Sequence, residues 1–119
     1  MELRKILTEH KRWLESEGKE GERANLRKAI LQEADLHDLN LQGADLEGAH
    51  LSVADLMGTN LRLANLKRAD LWMADMKNTI LQGAELQGAN LSDVTNLTQK
   101  QVDSAIIDDA TVLPKGIHR

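Results

Sequence analysis

The chain has 119 residues, no cysteine, 2% aromatic residues and a formal net charge of -4. That length is one domain, and the missing thiols exclude disulfides, thiol nucleophiles and thiolate-bound metals. The charge excess is confined to residues 24–93, with six basic against ten acidic groups, while both flanks are balanced. No basic stripe results, so direct nucleic-acid binding is not expected.

Residues 2–17 read as an amphipathic helix. Leu3, Ile6, Leu7, His10 and Leu14 fall on one face, with Trp13 beside it. Gly18 supplies a stop, and Gly18 to Arg23 form a polar connector, so residues 1–23 are a capping helix with its link. No long apolar run opens the chain, so neither a signal peptide nor a membrane span is expected, and the expected location is cytoplasmic.

Residues 24–93 repeat every five residues, fourteen times without insertion. The third residue is Leu in thirteen blocks and Met76 in the other, and the first is Ala except at Leu39, Thr59 and Thr79. This period fits neither a helix nor an alternating strand and specifies a stack of near-identical units. A small first residue beside each Leu lets two inward side chains share a narrow bore.

After Asp93 the register breaks: Asn96 stands where Leu is due and Leu97 comes one residue late. Thr98 and Gln101 form a capping-box pattern that opens a short helix through about Ile106, with Val102, Ala105 and Ile106 as its apolar face. Asp108 to Pro114 reads as a turn and a short strand, and Lys115 to Arg119 as a loose tail. Residues 94–119 are therefore a C-terminal cap.

The blocks ADLHD, ADLEG, ADLMG, ANLKR, ADLWM and ANLSD resemble the pentapeptide repeat family. The resemblance implies an all-β solenoid, a right-handed quadrilateral β-helix with one block per side and four per coil. Fourteen blocks then give about 3.5 coils. At about 4.8 Å per coil the stack is about 17 Å long. The central Leu and the residue two before it point inward, and the other three point out.

In that twenty-residue register Leu39, Thr59 and Thr79 fall on one face, where packing accounts for them. Second-position Asp and Asn have the reach to bond nearby backbone N–H groups and hold a corner. Asp35, Asp55 and Asp75 form one column, read as three turn caps rather than as a divalent-cation site. Outward apolar residues are Val53, Met57, Leu63, Trp72 and Met73. Val53 and Met73 share a column with Trp72 alongside, which makes these three the candidate protein-contact residues, with Lys67 and Arg68 as charged rim groups. Cover by a terminal segment of the same chain is the alternative use of that patch.

No catalytic residue, cofactor site or metal site is expected. Serines lack a nucleophile context, and His10, His37, His50 and His118 include no pair at metal-ligand spacing. The function expected is a non-enzymatic, rigid protein-binding or scaffold module whose partner is another protein or a second copy, with no membrane contact. The alternative, implied by the resemblance, is a DNA-mimic modulator of DNA gyrase or another topoisomerase. The few coils and the interrupting Arg62, Lys67, Arg68 and Lys77 count against it.

Overall fold

A turn every five residues and a parallel pairing every twenty build this protein. Its computed structural model describes residues 1–119. Parallel bridges link second-position residues twenty apart, from Asn25–Asp45 through Asp75–Thr95. Four walls follow. Face 1 holds residues 24–28, 44–48, 64–68 and 84–88, and face 2 holds 29–33, 49–53, 69–73 and 89–93. Face 3 holds 34–38, 54–58 and 74–78, and face 4 holds 39–43, 59–63 and 79–83.

The coil-to-coil bonds repeat on every wall. The central N–H donates to the second-position carbonyl of the next coil, as from Leu26 to Asp45 at 2.7 Å. The fifth N–H donates to the fourth-position carbonyl, as from Lys28 to Glu47 at 2.9 Å. Each side of the solenoid contributes a single bridge residue rather than a continuous strand. Two of every five residues are spent in the turn, which leaves too little extended chain for a longer ladder.

Those turns have one geometry. In each, the first-position N–H of the following block bonds back to the central carbonyl, as from Ala29 to Leu26 at 3.1 Å. The fifth residue has positive φ in all fourteen blocks. That is the i+2 requirement of a type II turn, which glycine meets without cost. Glycine fills five of these positions, yet Val53, Leu63 and Met73 hold φ of 58–61°.

The bore contains the Leu/Met and Ala columns, nearly all fully buried. Thr59 and Thr79 are buried too, and their hydroxyls donate to Leu36 O and Leu56 O, each at 2.7 Å. A buried hydroxyl needs such a partner, so the packing reading of this column holds.

α1 spans Leu3–Glu15 and covers the first coil. It is shorter than 2–17, because Glu17 at φ 55° and Gly18 at φ 85° turn the chain, with Gly18 N–H donating to Trp13 O at 2.8 Å. Gly21 passes so close to α1 that a Cβ would stand 2.7 Å from the Trp13 nitrogen. His10 is buried and ties α1 to the coils: Nδ1 accepts from Ala24 N–H at 2.9 Å, and Nε2 donates to Gln42 O at 3.0 Å. That pattern requires the neutral ring, and burial lowers the His10 pKa from its ordinary value.

At the other end, α2 spans Gln99–Ser104 and opens on the Thr98–Gln101 capping box. Gln101 Nε2 donates to Met76 O and Thr79 O, both at 2.9 Å, so the helix sits where face 4 would continue. The helix stops before Ile106. Ile106 is half exposed and bridges Glu85, and so belongs to face 1 rather than to an apolar helix face. Val112 bridges Asn90, as a short extended segment should. The tail is not loose: Gln99 Nε2 donates to His118 O at 2.6 Å, and Arg119 binds the carbonyl of Thr111. No helix is long and apolar enough to cross a membrane.

Candidate protein-contact surface

Val53, Trp72 and Met73 meet on face 2. Val53 N–H donates to Trp72 O at 2.8 Å, which puts the two in adjacent coils. Their exposures are 43%, 42% and 44%, and neither terminus covers them, so the alternative of an internal lid is set aside. The Trp72 indole N–H donates to Asp93 Oδ2 at 3.2 Å, which leans the ring toward the next coil. The fifth-position column runs Glu33, Val53, Met73, Asp93, an apolar centre with a carboxylate at either end. The fourteen blocks place no Lys or Arg on face 2.

The remaining outward apolar residues do not join this patch. Met57 stands on face 3 and Leu63 on face 4, with Leu63 lying against Gly83, where a Cβ would collide with it. Ile30 and Ile80 are exposed as well, at second positions. The rim expected from Lys67 and Arg68 is absent, because both are engaged on face 1. Lys67 Nζ lies 3.1 Å from Glu85, and Arg68 bonds Glu47. Arg27 bridges Asp45 and Glu47 at 3.2 and 3.3 Å, and Asn65 Nδ2 donates to the same two carboxylates. The Asn65 hydrogen bond, with Arg68 and Arg27, holds the Glu47 carboxyl below its ordinary range. Face 1 is thus closed on itself.

Face 3 is not. Asp35, Asp55 and Asp75 cap their own turns, accepting from the backbone N–H groups of His37, Met57 and Lys77 at 3.0–3.2 Å. None of the three is paired with a Lys or Arg, and the His37 ring turns back onto Asp35. That bond raises the His37 pKa and lowers that of Asp35. An apolar groove lined by Leu3, Leu7, Leu14 and Leu39 runs between α1 and the first coil. It brings no catalytic set together.

A family profile described as pentapeptide repeats matches residues 22–58, 34–72 and 59–99, with eight copies. The chain belongs to the pentapeptide repeat family. Among solved structures, the pentapeptide repeat protein alr5209 from Nostoc PCC 7120 is 30% identical, covering 93% of this chain and 86% of that one with a TM-score of 0.71. HetL, also from Nostoc sp. strain PCC 7120 and described as involved in heterocyst differentiation regulation, is 32% identical over 77% of this chain and 50% of its own, with a TM-score of 0.40. The Arabidopsis thaliana thylakoid-lumen protein AT2G44920 is 23% identical over 69% of this chain and 59% of its own, with a TM-score of 0.46. A search of curated proteins returns no match.

Within this pentapeptide repeat protein, two features escaped the sequence reading. One is the left-handed fifth position, signalled by glycine in five blocks and by Asn or Asp in three more. The other is the contact of His37 with Asp35, which follows once positions two and four of one block face the same side.

Proposed function

We propose that this protein is a non-enzymatic, rigid protein-binding module: a right-handed quadrilateral β-helix of about 3.5 coils, sealed by its end helices, that presents Val53, Trp72 and Met73 to a protein partner. The observation that carries this reading is the meeting of Val53, Trp72 and Met73, each half exposed, on a wall that carries no Lys or Arg. Trp and Met are favoured interface types, and an apolar cluster left uncovered supports a contact role. Val53 adds to it: the left-handed backbone that the frame imposes at every fifth position costs a β-branched residue about 1–2 kcal/mol, and its half-exposed side chain gives the bore nothing in return. The acidic ends of the column favour a partner with apolar side chains ringed by Lys or Arg, and disfavour a second copy using the same face. The duplex-mimic reading gains less, since the face 1 carboxylates are already bonded to Arg27 and Arg68. A cytoplasmic location goes with the proposal and is tested by cell fractionation.

A photo-reactive residue at Ser52 on face 2 and another at Lys28 on face 1 test it in cells. Protein adducts at position 52 that vanish on Trp72→Glu, with none at position 28, are expected. Equal adducts at both positions, or adducts indifferent to Trp72→Glu, overturn it.

A further inference from the structure

We propose that Asp35, His37 and Asp55 form a binding site for a divalent transition ion of the zinc class at the edge of face 3. The ligand atoms of these three side chains lie within 4.8 Å of one another. Ligands at about 2.0–2.2 Å from a tetrahedral zinc stand about 3.3–3.6 Å apart, so rotation of these exposed side chains by an ångström or so closes the set. Asp35 and Asp55 are bridge partners in adjacent coils, and the ladder holds their backbones together.

Each carboxylate is also pre-oriented. Oδ1 of Asp35 and Oδ1 of Asp55 accept the turn N–H groups at 3.2 and 3.0 Å, which leaves each Oδ2 without a protein partner. His37 adds a nitrogen ligand from the same block as Asp35. Asp38 adds negative charge beside the ring, its carboxylate lying over Gly58 where a Cβ would collide. No Lys or Arg forms an ion pair with Asp35, Asp38, Asp55 or Asp75, whereas the face 1 carboxylates Asp45, Glu47 and Glu85 all have one. A cation on face 3 supplies the missing counter-charge.

The donor set selects the ion. Calcium and magnesium take six or more oxygens, or most of a water shell, and gain little from an imidazole. One imidazole with two carboxylates suits zinc, cobalt or nickel, with water in the open positions. On binding, the neutral His37 ring gives a nitrogen lone pair to the metal and keeps its one proton on the other nitrogen, so the hydrogen bond to Asp35 is exchanged for the metal–nitrogen bond.

Calorimetric titration of the tag-free full chain with zinc chloride at pH 7 tests the site. One zinc per chain is expected. His37→Ala and Asp55→Asn should each weaken binding at least about tenfold, since changes outside the ligand shell alone cost about 10–100-fold. His50→Ala should bind as the parent does. In the parent protein, the His37 ring signals should be the first histidine resonances that zinc moves. No zinc heat up to millimolar concentration overturns the proposal. So does binding that survives His37→Ala, or zinc that first moves the ring signals of His10, His50 or His118.

Discussion

Face 1 and the corner shared by faces 2 and 3 stand on the same five-residue frame and use it in opposite ways. On face 1, Asp45, Glu47 and Glu85 are each matched by Arg27, Arg68 or Lys67, so the wall satisfies its own charge. At the corner, Val53, Trp72 and Met73 are half exposed, and the column from Asp35 to Asp75 has no Lys or Arg partner, only the His37 ring on Asp35. The frame sets which way a side chain points. Whether an outward wall is finished or left open is decided by positions that the repeat does not restrict.

The largest effects should be blind to the difference between walls. Leu66→Ala on face 1 and Met76→Ala on face 3 both empty the bore, and each should cost about 2–5 kcal/mol in urea unfolding. A wide gap between them would mean the frame is not shared. Smaller changes should separate the walls by sign. Glu47→Gln leaves Arg68 without a carboxylate and Arg27 with Asp45 alone, and should lower the thermal midpoint, whereas Asp55→Asn relieves a like-charge column and should raise it. Because the folded Glu47 pKa is depressed from its ordinary 4.5, its stabilisation is present above that value and lost as pH falls through the folded pKa. Glu47→Gln should therefore flatten the acid limb of the stability curve.

Two histidines sharpen the comparison further, because their slopes oppose. Buried His10 has a folded pKa below 6.5, so its unfolded form binds the extra proton, and stability falls as pH drops below about 6.5. His37 has a folded pKa above 6.5, so its contribution is full below that value and is lost as pH rises through the folded pKa. Denaturation curves between pH 5 and 8 should tilt oppositely in His10→Gln and His37→Gln. The smallest effect is at Val53. Val53→Gly releases about 1–2 kcal/mol of left-handed strain against about 0.5–1 kcal/mol of added chain entropy. Its urea midpoint should hold or rise slightly.

The frame was legible because inward side chains are restricted in kind: Leu or Met at the centre, Ala or a hydroxyl that finds a carbonyl. Periodicity therefore located the bore residues and the Val53, Trp72 and Met73 group, and the Thr98–Gln101 capping box located the start of α2. The closed state of face 1 was not legible, since pairing Glu47 with Arg68 depends on which rotamers reach across a coil, and Lys67 and Arg68 looked free. The end of α2 was missed for a related reason. Ile106 looked like a helix face, but an open ladder at Glu85 offered its backbone better bonds. The tail likewise looked unanchored, because the acceptors of Arg119 are carbonyls brought close only by the fold.

The measurement that bears most directly on the central claim is the photo-cross-linking yield at Ser52 in cells carrying Val53→Gly with Met73→Gly. Both replacements suit the left-handed turn, so the fold should be kept while the apolar surface is removed. Loss of the adducts at an unchanged or higher melting temperature is the result predicted. Undiminished adducts on a stably folded double variant would contradict the account, since the strained residues would then serve no contact.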